Sequence, residues 1–185
     1  MPFIPCGTNA RWHDRAMATT RGADQDVVSL REITEANRPE VEALSVTSQQ
    51  EQFVAGVGQS LIEAAETPDA KPWYRAIYAD DTTVGFVMIS DNIAPEHTEY
   101  LGPYFLWRLL IDARWQRRGY GSAALDLVVE YLMHRPGCDR LFSSFVPGEG
   151  SPIGFYLQYG FVRTGEMFDG EPVIVLLLPP QSGSD

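Results

Sequence analysis

The chain has 185 residues, of which 44% are hydrophobic and 21% are charged, a composition typical of one folded domain and unlike that of disordered or collagen-like chains. Its 14 basic and 25 acidic residues give a net charge of −11, which argues against nucleic-acid binding because that needs a basic face. Cys6 and Cys138 form no disulfide framework, and the sequence has no apparent signal peptide or membrane-spanning run, so a cytoplasmic protein with no membrane partner is expected.

A tail and a strand–helix–helix unit are predicted first. Residues 1–25 contain prolines and glycines that interrupt any apolar period, so we expect a flexible tail before a single domain at 26–180. Val27–Thr34 has the pattern of a strand. Arg38–Glu66 is predicted to form two short helices, with Phe53 and Val54 in the second.

A β-rich run occupies the middle of the chain. Trp73–Ala79 and Val84–Ser90 are predicted to form a hairpin. Tyr104–Asp112 (YFLWRLLID) is almost continuously apolar, which predicts a central strand covered on both faces. The turn at Trp115–Gly121 then opens an amphipathic helix, Ser122–Arg135.

The remaining elements complete an α/β pattern. Ser151 is predicted to cap a helix that has Pro152 at its first position and ends at Gly160. Three more strands are predicted, the last two joined by a hairpin at Asp169–Gly170: Arg140–Val146, Phe161–Met167 and Pro172–Leu178. The order β-α-α-β-β-β-α-β-α-β-β indicates an α/β domain with a mixed central sheet flanked by helices.

The segment Gln116–Ser122 (QRRGYGS) carries the strongest chemical signal. Gly119 and Gly121 permit a tight turn and the close approach of a ligand. The first amides of the following helix have no partner in the helix, and the helix dipole favours an anion there. The segment therefore predicts a phosphate site to which Arg114, Arg117 and Arg118 add positive charge. A Walker loop, a Rossmann fingerprint and a histidine metal motif are all absent from the sequence.

This segment, together with Phe155–Tyr156 and Gly160–Phe161, resembles the GNAT superfamily of acetyl-CoA-dependent N-acetyltransferases over Val27–Leu178. More narrowly, YFLWRLLIDARWQRRGYG and ALDLVVEYL resemble bacterial spermine/spermidine acetyltransferases, as do the LREIT and VPG segments. The resemblance implies the GNAT fold, acetyl-CoA as co-substrate without a metal, and a small cationic amine as acceptor. Dimerisation, common in that family, is a further expectation.

The resemblance also assigns roles to residues. In that family the pyrophosphate of CoA lies on the glycine-turn amides, and the pantetheine pairs like an extra strand with the fourth strand. The implied cofactor-binding residues are Leu109, Leu110, Ile111, Gln116, Arg117, Arg118, Gly119, Tyr120, Gly121 and Ser122. A backbone N–H near Leu110 or Ile111 would polarise the thioester carbonyl. Tyr156 matches the family's tyrosine, a general acid for the departing thiolate.

The acceptor cleft is expected between residues 49–53 and 93–104, where carboxylates and aromatic faces suit an aliphatic polycation. The expected substrate-binding residues are Glu32, Glu51, Phe53, Glu99, Tyr100 and Trp107. The general base remains open among Glu32, Glu99 and Asp112, because Trp107 stands where some polyamine acetyltransferases carry a glutamate.

Two alternatives to a polyamine acetyltransferase remain. The acceptor amine could belong to an antibiotic such as an aminoglycoside, to an amino acid, or to a protein N-terminus. The chain could also be a non-catalytic module that binds acyl-CoA or senses polyamines.

Overall fold

The computed structural model describes residues 26–179, within which the predicted order of strands and helices is confirmed. The strands are β1 (Val28–Arg31), β2 (Pro72–Ala79), β3 (Thr82–Asp91), β4 (Tyr104–Ile111), β5 (Arg140–Ser144), β6 (Val162–Phe168) and β7 (Glu171–Leu177). The α-helices are α1 (Arg38–Glu42), α2 (Val57–Glu66), α3 (Tyr120–Met133) and α4 (Ile153–Tyr159), with 3₁₀ turns at Pro68–Ala70 and Ala113–Trp115. The tail predicted at residues 1–25 lies outside the described residues.

The strands form one mixed sheet in the order β1-β2-β3-β4-β5-β7-β6. Neighbours run antiparallel except for β4 and β5, which are parallel. The β4–β5 ladder within the described residues has a single pair, Phe105 with Phe142. The sheet therefore consists of two well-paired halves that touch near one end of β4.

Alternate residues of the central strands enter two separate cores. On one face, Val87 and Ile89 of β3 pack with the helices α3 and α4. On the other face, Phe86 and Met88 pack beneath α1 and α2. Because both faces are covered, the central strands need apolar residues throughout, which explains the continuous apolar run recognised in β4.

Two turn predictions are confirmed by backbone conformation. Asp169 and Gly170, between β6 and β7, have φ values of 48° and 81°, as a two-residue hairpin requires. Gly160 ends α4 with φ at 130°, a backbone conformation that residues other than glycine rarely adopt.

Two local predictions are wrong. Phe53 and Val54 precede α2, which begins only at Val57 after the extended Gly56; the preceding segment instead closes short turns, such as the one from the Phe53 amide to the Gln50 carbonyl at 2.9 Å. Ser151 does not cap α4, because its hydroxyl donates to the Val146 carbonyl at 2.8 Å.

Candidate active site

The seam between β4 and β5 is the central feature of the site. Past the Phe105–Phe142 pair, the Ser143 hydroxyl donates to the Leu106 carbonyl at 2.9 Å. Farther along β4, the strand keeps its pairing with β3 as far as Ile111 but has no further register with β5. This part of β4 consequently presents a backbone edge that β5 does not cover.

Backbone direction decides which amides face the seam. The Asp112 N–H donates to the Val84 carbonyl at 3.0 Å, towards β3. Because successive residues of a strand direct their backbone groups to opposite sides, Leu110 also faces β3 while Leu109 and Ile111 face the seam. The Ile111 carbonyl agrees with this assignment, since it accepts from Gln116 Nε2 at 2.9 Å.

The glycine turn leads directly from this edge into α3. Gly119 adopts the left-handed conformation, with φ at 83°, immediately before the helix. Its carbonyl accepts from the Ala123 amide at 3.0 Å, the first bond of the helix. The helix therefore begins with amides, among them those of Gly121 and Ser122, that have no acceptor within the helix, an arrangement suited to an anion.

The loop before α2 is fastened to this turn. The side-chain amides of Gln50 and Gln116 exchange two hydrogen bonds, at 2.9 and 3.1 Å. Since Gln116 also holds the Ile111 carbonyl, one side chain connects the loop, the turn and the end of β4.

The three arginines at the turn have different surroundings. Arg114 does not add its charge to the phosphate site as predicted, because its guanidinium binds Asp112 at 2.7 and 3.1 Å. The Arg118 guanidinium lies 5.0 Å from the centre of the Trp115 ring, and it is exposed. Arg117 lines the cavity described next.

A cavity of about 1010 Å³ joins the seam, the turn and α4. Most of the residues implied for CoA line it: Leu109, Ile111, Gln116, Arg117, Gly119, Tyr120, Gly121 and Ser122. Leu110 and Arg118 are not in its lining, and the Leu110 side chain lies in the core beneath α1 and α2. The wall is tight at Gly121, where a Cβ would come within 3.3 Å of Phe155.

Tyr156 lines the same cavity from α4. Its ring packs edge-on to Phe155 and Phe161, and the residue is only 7% exposed. Burial raises the pKa of its phenol to about 12, although Arg108 opposes this shift. Its hydroxyl makes no hydrogen bond with any residue of the described chain, so a protonated phenol is available to a ligand.

A charged pair crosses the wall of the cavity beside Tyr156. Arg108 of β4 donates to Glu63 of α2 at 2.6 Å and to the Trp107 carbonyl at 2.9 Å. Its Nε is buried without a partner among the described residues. Burial lowers the pKa of Arg108 while Glu63 and Glu171 oppose that shift, so the group is a cation held by nearby carboxylates.

The predicted acceptor residues fall into three places. Glu51, Phe53 and Trp107 line the main cavity. Glu99, Tyr100 and Trp107 line a second, adjoining cavity. Glu32 lies in neither lining; it is 78% exposed and faces Arg75 at 3.6 Å.

The other base candidate, Asp112, has a different role. Its carboxylate accepts hydrogen bonds from the Ser45 and Arg114 amides and from the Arg114 guanidinium. Burial alone would raise the pKa of Asp112, but these donors together lower it. Asp112 is therefore an ionised anchor between the loop after α1 and the end of β4.

Sequence reasoning missed the contribution of the β6–β7 hairpin. Phe168, Asp169 and Glu171 line the main cavity. The Ser144 hydroxyl donates to Glu171 Oε2 at 2.6 Å. The hairpin was predicted, but only the sheet order, which places β7 beside β5, brings its tip to the seam.

Two features are missing from residues 26–179. No helix in this range has the length and apolar character needed to cross a membrane. The same residues contain no group of three or more His, Cys, Asp or Glu side chains arranged to hold a metal ion.

Comparison with known proteins identifies relatives of this arrangement. Residues 27–161 match the model of the Acetyltransferase (GNAT) family. The spermine/spermidine N(1)-acetyltransferase of Bacillus subtilis is 29% identical over 151 residues, which cover 80% of this chain and 97% of that enzyme.

Solved structures share the fold. The GNAT domain of S. lividans PAT superposes with a TM-score of 0.67 at 16% identity, covering 93% of this chain and all of that domain. Spermidine N-acetyltransferase from Vibrio cholerae, solved with CoA and spermine, gives a TM-score of 0.58 at 11% identity, covering 81% and 95% of the two chains.

Proposed function

The chain belongs to the Acetyltransferase (GNAT) family, and on that premise we propose that it acetylates a primary amine of a linear polyamine such as spermidine or spermine. Two features support this acceptor. The relative in Bacillus subtilis is a spermine/spermidine acetyltransferase that aligns over nearly its whole length. The cavity beside the seam combines carboxylates with aromatic walls, which suits an aliphatic polycation.

Acetyl-CoA fits the donor side of the cavity. The amides of Tyr120, Gly121 and Ser122 would receive its diphosphate, with Arg117 adding charge. The seam-facing amides of Leu109 and Ile111 would pair with its amide-bearing arm as a strand edge does. When bound, it supplies an acetyl thioester whose C–S bond breaks as the amine nitrogen forms the new amide bond.

Tyr156 is the proposed general acid. With a pKa of about 12, its phenol stays protonated throughout the neutral range. Its hydroxyl has no competing acceptor in the described chain, so it can donate its proton to the departing thiolate. The ring contacts with Phe155 and Phe161 fix the position of that hydroxyl.

Glu171 is the proposed proton acceptor. A substrate ammonium with a pKa near 10 must lose a proton before it attacks. Glu171 lines the cavity and is among the charges that act on Arg108, whose charge in turn acts on Tyr156. The Ser144 hydroxyl orients one carboxylate oxygen, and the other can take the ammonium proton through a water molecule.

The observation that carries the proposal is the meeting of the open β4 edge, the glycine turn and Tyr156 in one cavity. The test is the release of free thiol from acetyl-CoA with spermine, spermidine, an aminoglycoside, free amino acids and short peptides. Spermine and spermidine should give the highest kcat/KM. A preference for another amine would reject the polyamine assignment, and tight CoA binding without any turnover would support the non-catalytic alternative.

The proposed base can be tested separately. Glu171→Gln should lower kcat at neutral pH by about 10²-fold, and raising the pH should recover part of the loss because more of the amine is then neutral. Glu166 is an exposed carboxylate on the neighbouring strand β6. Glu166→Gln should therefore change neither kcat nor its pH dependence. A Glu171→Gln enzyme with normal kcat would remove Glu171 from the mechanism.

A further inference from the structure

A second cavity of about 530 Å³ opens beside the acceptor end of the main one. The two share Phe105, Trp107, Phe168 and Asp169 in their linings. Phe105 and Phe168 contact each other with their ring centres 6.4 Å apart. A chain-like ligand that passes these aromatic side chains can therefore occupy both cavities at once.

The lining of the second cavity favours a cation. Glu99 and Asp169 are its charged residues, and no Lys, Arg or His of the described chain is in the lining. The backbone amide of Glu99 and the ring of His97 hold the pKa of the Glu99 carboxyl below its usual range. The remaining wall includes aromatic faces, which attract ammonium groups.

The side chain of Ser90 supplies a second, independent indication of a ligand. Ser90 of β3 is 3% exposed and lines this cavity. Its hydroxyl makes no hydrogen bond within residues 26–179, and unlike Thr83 Oγ1 and Arg108 Nε its oxygen is not sealed from the cavity. A residue this buried seldom leaves its hydroxyl unpaired, so this oxygen, which is open to the cavity, is suited to accept a hydrogen bond from a ligand N–H.

The separation of the cavities sets the length of the ligand. Ser90, which lines only the second cavity, pairs with Phe105 of β4. Leu109, which lines only the main cavity, lies four residues farther along β4, about 13 Å away. A diamine with four methylenes has a contour of at most about 7.5 Å between its nitrogens, at roughly 1.5 Å per bond. A tetramine such as spermine, with about 20 Å between its outer nitrogens on the same basis, spans the distance.

We propose that the second cavity is a subsite for the distal ammonium of a long polyamine, held by Glu99, Ser90 and the aromatic wall. This assignment rests on the proposed polyamine activity. It makes the enzyme selective for acceptor length, because a short diamine attacked at the seam leaves the second cavity without a cation.

The test compares spermine with 1,4-diaminobutane as acceptors. Glu99→Gln and Ser90→Ala should each raise KM for spermine, the former by about tenfold, and leave KM for the short diamine within twofold. Because the Ser90 hydroxyl has no partner within residues 26–179, Ser90→Ala should keep the wild-type melting temperature. Glu166→Gln is the carboxylate control and should match wild type with both amines. Equal changes for both amines, or none for spermine, would overturn the subsite.

Failure of the subsite can be separated from failure of the proposed function. If wild-type protein acetylates neither amine, the polyamine activity is rejected, and the subsite is then judged by calorimetric titration with spermine. Binding that Glu99→Gln weakens about tenfold would support a polyamine subsite without catalysis. The subsite would be overturned if Glu99→Gln bound spermine as tightly as wild type, or if wild type did not bind spermine.

Discussion

Replacing Tyr156 by phenylalanine should separate catalysis from folding. The ring contacts with Phe155 and Phe161 remain, and the lost hydroxyl has no hydrogen bond within the described chain. The free energy of unfolding at neutral pH should therefore change by no more than about 0.5 kcal/mol. If the phenol protonates the thiolate, kcat should fall by about 10²-fold or more, the usual contribution of a general acid.

The pH dependence gives a second measure of the same group. The pKa of about 12 in the folded protein exceeds the ordinary value of 10, so Tyr156 favours folding below pH 10, and this contribution is lost as the pH rises towards 12. Tyr156→Phe should reduce that alkaline loss of stability. The rate of the wild-type enzyme should show no alkaline fall due to Tyr156 below about pH 11.

The assay follows thiol release at saturating spermine, together with calorimetric titration with CoA and thermal unfolding. CoA affinity and melting temperature should stay near wild type while kcat falls. An unchanged kcat would refute the role of Tyr156 as acid. A parallel loss of CoA affinity would instead assign the hydroxyl to binding.

Three other substitutions, together with Gly137→Ala as a matched control for the first, test the framework of the site. Gly119→Ala and Gly137→Ala place a side chain at φ values of 83° and 61°, so urea unfolding should show a loss of roughly 1–2 kcal/mol in each, but only the former should raise KM for acetyl-CoA. Asp112→Asn should lower the free energy of unfolding by about 2 kcal/mol at neutral pH. Burial raises the pKa of Asp112 but its donors lower it overall, so the wild-type carboxylate stabilises the fold above the ordinary pKa of 3.8 and this stabilisation is lost as the pH falls through the lowered pKa. The variant should lack this acid-dependent loss. Glu63→Gln removes the carboxylate that Arg108 contacts in the cavity wall and leaves the guanidinium only the Trp107 carbonyl and the charge of Glu171. Denaturant unfolding should show a loss of about 2 kcal/mol; an unchanged midpoint would mean that solvent replaces the pair.

The parts of the fold predictable from sequence are those governed by local chemistry. The continuous apolar run of β4 predicts a strand covered on both faces, and the two cores cover it. Asp169–Gly170 has the residues that a two-residue hairpin needs. The helix predicted at Phe53 is wrong because consecutive turns can place apolar side chains at the same sequence spacing as a helix. Here these turns direct the side chains towards the cavity and not into a helix face.

The parts missed depend on contacts between distant segments. Nothing near Glu63 or Arg108 in the sequence signals that they pair across 45 positions. The place of Glu171 at the seam follows from the pairing of β7 with β5, which no local pattern encodes.

Because β4 diverges from β5, the stability of the folded protein should depend on the concentration of the molecule that binds between these strands. Hydrogen exchange should be fast at the Leu109 and Ile111 amides in the free protein, because β5 does not cover them. A molecule bridging the two half-sheets closes that gap, and at a hundred times its dissociation constant it adds about 2.7 kcal/mol to the free energy of unfolding. Resistance to heat and proteolysis should therefore rise and fall with the acetyl-CoA concentration around the protein.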